Sequence, residues 1–203
     1  MLNKYARAFF TKVFTPVAAL LVRLGVSPDV VTIVGTLGVS LGALLLYPRH
    51  HFLAGTLVIT AFVFSDTVDG VMARMIGRSS PWGAYLDSTL DRVGDACIFG
   101  GLVLWYAGRG DDNLMAALAL ACLILGSVVS YAKARAEGLG MTADVGIAER
   151  ADRLVAVLAA TGLVGLGVPE ILLTVVLSLL ALASLVTVVQ RMLEVRRQAF
   201  EAG

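Results

Sequence analysis

The segment from Asp66 to Asp91, DTVDGVMARMIGRSSPWGAYLDSTLD, places four aspartates in a chain otherwise apolar enough to live in lipid. A carboxylate inside a membrane span costs about 3 kcal/mol or more, so such residues line a pathway or a site. The 203 residues are 58% hydrophobic and 15% charged, with a mean hydropathy of +0.86, which argues for an integral membrane domain and against a soluble one. A net charge of +1 leaves no global basic field of the kind that nucleic acid requires. Cys97 and Cys122 fall in apolar segments without metal-ligand spacing and read as buried free thiols. The N-terminal MLNKYARAFFTKVF lacks the apolar core and cleavage site of a signal peptide.

Residues 2–22 carry Leu2, Phe9, Phe10, Val13, Val17, Leu20 and Leu21 near one helical stripe, with Lys4, Arg7 and Lys12 elsewhere. That pattern predicts an in-plane amphipathic helix facing lipid headgroups. Six apolar stretches follow, at about 30–47, 52–75, 81–107, 113–135, 150–167 and 169–192. The expectation is an all-α single membrane domain over 1–203, six transmembrane helices plus the interfacial one. Ser27-Pro28 and Ser80-Pro81 read as helix caps with proline in the first turn. The glycine-rich 136–148 is expected as the longest loop, and Gly167-Val168-Pro169 as a tight turn between antiparallel neighbours.

Basic residues set the orientation. Lys4, Arg7, Lys12, Arg23, Arg74, Arg78, Lys133, Arg135, Arg150, Arg153, Arg191, Arg196 and Arg197 gather on one side, and only Arg49 and Arg109 on the other. By the positive-inside rule both termini and the aspartates lie at the cytoplasmic face of the cell membrane.

At about 100° per residue, Asp66, Asp69, Gly70, Ala73 and Arg74 share one helical face. Gly83, Asp87, Asp91 and Asp95 recur at four-residue steps along the next helix. A short turn makes the two helices antiparallel, so the stripes can face each other. Carboxylates converging in low dielectric repel one another unless cations offset them, and all-oxygen ligation suits Mg²⁺ or Mn²⁺. Gly70 and Gly83 leave room for a bulky ligand at the backbone, and Arg74 offers a cation to phosphate. The chemistry that results is metal-assisted phosphoryl-type transfer.

The pattern Asp66-x2-Asp69-Gly70-x2-Ala73-Arg74-x8-Gly83-x3-Asp87-x3-Asp91 resembles the signature of the CDP-alcohol phosphatidyltransferases at each of its fixed positions. The resemblance implies two Mg²⁺ ions, with Mn²⁺ as an alternative. Asp66 and Asp87 would bridge both ions, Asp69 would bind one, and Asp91 would bind the other and act as general base. It maps CDP-diacylglycerol binding onto Asp29, Val30, Val31, Thr32, Gly70, Arg74 and Ser80, with Asp29 where many members carry Asn. A homodimer is what the family suggests. The segments from Ser130 to Glu137 and from Glu149 to Arg153 are similar to those of actinobacterial phosphatidylinositol phosphate synthases. That likeness implies inositol 3-phosphate as acceptor, its phosphate held by Lys133, Arg135 and Arg153 at the ends of the fourth and fifth spans.

Other readings stand beside this one. A phosphatidylglycerophosphate synthase would use glycerol 3-phosphate, which is also anionic. A divalent-cation transporter would need acidic residues continuing across the membrane, yet Phe52 to Ser65 is apolar. Asp95 lies outside the signature and is expected to pair structurally with Arg92 or with another helix. His50 and His51 sit on the far side, away from the aspartates. Trp82, Trp105 and Tyr106 are expected as interfacial anchors.

Overall fold

A computed structural model describes residues 2–77 and 80–201, with side chains for these residues apart from 2–12 and Asp66. The helices are α1 (Leu2–Arg23), α2 (Pro28–Leu46), α3 (Phe52–Val63), α4 (Ser65–Met75), α5 (Pro81–Tyr106), α6 (Asn113–Glu137), α7 (Arg150–Gly165) and α8 (Ile171–Glu201). Among the described residues there is no strand. Among the described residues four stretches are long and apolar enough to cross a bilayer: Pro28–Arg49, Phe52–Met75, Asn113–Glu137 and Ile171–Glu201. The chain is thus an all-helical, multi-pass membrane protein. The polar first half of α5 and the shortness of α7 keep these two helices out of that set.

Both expected caps form. Ser27 accepts from the Val30 N–H at 3.4 Å, and Ser80 accepts from the Gly83 N–H at 3.0 Å, each followed by proline at the first helical position. One expected stretch is divided. The stretch 52–75 is broken at Phe64 into α3 and α4. The break falls where Ser65 meets α2 so closely that a Cβ on Gly35 would lie 1.7 Å from the Ser65 hydroxyl. Beyond the span expected at 169–192, α8 runs on to Glu201, with Arg197 paired to Glu194 at 2.6 Å and to Glu201 at 3.3 Å along one face.

The core lies among α2, α3, α5, α6, α7 and α8, with Tyr47, Phe52, Ile98, Leu102, Tyr106, Leu173 and Leu177 buried. Tyr106, expected as an interfacial anchor, is in fact only 1% exposed, because α5 ends packed on Phe52. A second cluster joins Ala18 of α1 to Val68, Val71 and Met72 of α4, with Phe14, Leu21 and Val22 packed against it. In the described half of α1 one apolar face packs on α4 while Val13, Val17 and Leu20 stay exposed; Leu2, Phe9 and Phe10 lie outside the described side chains. The 138–149 loop is the longest irregular segment among the described residues. It is fastened to α8: Thr187 Oγ1 accepts from the Ile147 and Ala148 N–H groups at 3.2 Å, Arg191 donates to Val145 and Val129 carbonyls, and Gln198 donates to Thr142.

Candidate active site

The break at Phe64 starts a new helix, α4, just before the first aspartate, and the Ser80-Pro81 cap starts α5 just before the second pair. Asp69 is 7% exposed, and its Oδ2 lies 2.5 Å from Thr32 Oγ1 of α2. That hydroxyl is also 3.1 Å from the Pro28 carbonyl. A hydroxyl has one proton, and the shorter contact to the carboxylate takes it. Thr32 and Asp69, expected at nucleotide and metal respectively, thus meet. Asp29 accepts from the Trp82 indole N–H at 3.1 Å, and its Oδ1 is 4.0 Å from where a Gly83 Cβ would stand. Asp29, Ser80 and Gly83 therefore share the mouth of the α4–α5 turn. A Cβ on Gly70 would meet nothing within 4 Å, so open space adjoins Asp69. Arg74 is exposed and, among the described residues, its side chain makes no hydrogen bond or ion pair.

Asp87 is half-buried and likewise has no hydrogen bond or ion pair among the described residues. Asp91 is held by cations: Arg150 Nη1 lies 2.8 Å from Oδ1 and Arg92 Nη2 lies 3.4 Å from Oδ2. Arg150 also donates through Nε to Asp95 Oδ1 at 3.1 Å, so Asp95 pairs with another helix, one of the two partners expected for it. Among the described side chains, which exclude Asp66, no three acidic, histidine or cysteine groups gather closely enough to cage an ion. The donor set nevertheless suits a hard divalent cation: an enclosed carboxylate at Asp69, an unengaged one at Asp87, and only oxygen ligands.

The three basic residues expected for the acceptor are differently placed. Arg153 is 2% exposed and donates to the Ala148 carbonyl at 2.9 Å and the Gly126 carbonyl at 3.5 Å. Lys133 pairs with Asp144, which holds that loop carboxyl below its usual range, and lies 3.8 Å from Glu137. Arg135 is exposed and makes no hydrogen bond or ion pair among the described residues. The cation that the sequence reading missed is Arg150. It was legible only as a basic residue at the start of a helix, because nothing in the spacing states which residue of α5 it meets.

Residues 25–148 match the family model of the CDP-alcohol phosphatidyltransferases. The chain belongs to the CDP-alcohol phosphatidyltransferase family. As a member it is an enzyme, a metal-dependent phosphatidyltransferase. It is 59% identical to the phosphatidylinositol phosphate synthase of Streptomyces avermitilis, over all of this chain (100%) and 85% of the relative. It is 48% identical to that of Cutibacterium acnes, over 96% of this chain and 97% of the relative. The crystal structure of the Mycobacterium tuberculosis phosphatidylinositol phosphate synthase with CDP-DAG bound superposes with a TM-score of 0.87 at 42% identity, covering 91% of this chain and 94% of that one. The same enzyme in complex with manganese and citrate gives 0.86 at 43% identity, covering 90% and 88%. Membership in a family of transferases leaves the cation-transporter reading without support.

Proposed function

We propose that this phosphatidyltransferase moves the phosphatidyl group of CDP-diacylglycerol to 1D-myo-inositol 3-phosphate, releasing CMP, as a step of phospholipid biosynthesis. The observation that carries the reading is the likeness, along the whole chain, to relatives named for that product. Asp29, Val30, Val31, Thr32, Gly70, Arg74 and Ser80 receive the CDP end of the lipid. The open space at Gly70 supports this, as does the Thr32–Asp69 bond, which joins the nucleotide segment of α2 to the carboxylates of α4. Asp66, Asp69, Asp87 and Asp91 hold two Mg²⁺ ions, or Mn²⁺. Bound there, such ions polarise phosphoryl oxygens and neutralise charge on the leaving CMP. Asp91 takes the proton of the acceptor hydroxyl as it attacks the lipid-side phosphorus. The acceptor phosphate is assigned to the basic ends of α6 and α7. Arg135 is uncommitted, Lys133 would exchange Asp144 for the phosphate, and Arg153 adds positive field from its buried place.

All six helical spans cross the bilayer in this reading. At 26 residues α5 is about 39 Å long, and its charges face the site rather than lipid. The aspartates and both termini lie on the cytoplasmic side of the plasma membrane, since the basic residues gather at that end, whereas Arg49 and Arg109, which share one groove, stand at the other. The chain works as a single-domain homodimer.

The test is CMP release by purified protein from CDP-diacylglycerol with Mg²⁺, with a panel of acceptors. Inositol 3-phosphate is expected to drive release. Release with glycerol 3-phosphate alone would replace the acceptor and leave the transfer chemistry in place.

A further inference from the structure

Asp95 lies one turn beyond Asp91 on the same stripe of α5 and outside the signature, so the metal and nucleotide assignments make no use of it. Its side chain is 14% exposed and that of Asp91 16%, so two carboxylates four residues apart share an enclosed strip. Like charges at that spacing repel. Arg150 bridges them, using a different edge of its guanidinium for each: Nε to Asp95 at 3.1 Å and Nη1 to Asp91 at 2.8 Å. A planar fork held at both edges cannot turn, and so it holds Asp91 Oδ1 in place.

The mount of Arg150 is rigid as well. It is the first residue of α7, directly behind a capping box in which the Glu149 N–H donates to Asp152 at 3.3 Å. The preceding residues, Ile147 and Ala148, are tied to Thr187 of α8. Asp91 and Arg150 line one crevice between α2, α5 and α7, together with Gly35, Gly94 and Leu154. A side chain on a fixed backbone, locked by a second charge and turned on a reacting group, is what a precise site requires.

We propose that Asp95 is a positioning residue of the transfer, acting through Arg150 to hold the Asp91 carboxylate in the orientation that receives the acceptor proton. The inference rests on the assignment of Asp91 as base. Misplacing a reacting group by about 1 Å costs up to ~10²-fold in rate. Asp95→Ala is therefore expected to lower kcat by ~10–100-fold with the KM for CDP-diacylglycerol within about twofold. Asp95→Asn keeps an acceptor for the Arg150 Nε–H and should recover most of that loss. Arg150→Ala should cost about as much as Asp95→Ala. The double variant should be no slower than Arg150→Ala, because the two act as one unit.

The experiment measures CMP release and denaturation midpoint for the wild type, Asp91→Asn and these four variants. The proposal is overturned if Asp95→Ala lowers the midpoint but keeps wild-type kcat per folded molecule, or if the losses of the two alanine variants multiply. If wild-type release does not depend on Asp91, the base assignment fails, and the proposal with it. If it does depend on Asp91 while Asp95→Ala is fully active, only the proposal fails.

Discussion

Where α2 begins and α5 enters, the helices are joined by hydroxyls and charges: Thr32 to Asp69, Trp82 to Asp29, Arg150 to Asp91 and Asp95. Where α2 ends and α5 leaves, they are joined by rings and bare backbone. Tyr47 packs edge-on to Phe52 at 5.8 Å, His50 stacks on Trp105 at 4.4 Å, and the Tyr47 and Thr56 hydroxyls meet at 3.0 Å. There a Cβ on Gly101 would lie 2.6 Å from the Ala43 carbonyl oxygen. Close packing of this kind stabilises the fold, and enclosed carboxylates add little net stability. One end holds the bundle together and the other does chemistry.

This division can be broken from either side. Chelation of divalent cations should abolish CMP release entirely, and Mg²⁺ or Mn²⁺ should restore it while the helical signal stays constant. Loss of helix on chelation would make the metal end structural. Thr32→Val leaves the buried Asp69 carboxylate one donor short and should lower kcat/KM for CDP-diacylglycerol by ~10-fold or more. Gly101→Ala forces a methyl against backbone at the far end. It should destabilise the fold by about 1–3 kcal/mol in a denaturant titration, while kcat and both KM values of the folded fraction stay at wild-type levels. A changed KM there would couple the two ends.

The smallest effect concerns the loop carboxyl of Asp144. The hydrogen bond from Lys133, and then its charge, lower the folded pKa of Asp144. The pairing is therefore intact above the ordinary carboxylate range and is lost as pH falls through the depressed folded value. Amide exchange in 138–149 should rise only in that acid window. Asp144→Asn should show the looser loop at neutral pH with kcat unchanged and an acceptor KM no higher than wild type, since Lys133 then has no Asp144 to exchange for the phosphate.

What the sequence made legible was local. The caps at Ser27 and Ser80 and the two aspartate stripes follow from residues three or four apart, so period and cap chemistry state them outright. The break at Phe64 was not legible, since neither glycine nor proline marks it and the close approach beside it is to Gly35 on another helix, α2. The partner of Arg150 is likewise a matter of register between helices, which spacing along one chain does not carry. Arg153 was read as a cation facing the cavity; its guanidinium is directed to carbonyls instead, one of them exposed by the absent side chain of Gly126. Arg196 and Arg197, legible as a solvated helix end beyond the span at 169–192, do lie on the last turns of α8.

The most direct measurement follows Asp91→Asn in two assays with the same protein: equilibrium binding of CDP-diacylglycerol and single-turnover CMP release with inositol 3-phosphate. Binding is expected to stay within a few-fold of wild type while release falls by ~10²–10⁴-fold, the contribution of a positioned base. Release at the wild-type rate would contradict the assignment of the reaction to this end of the bundle.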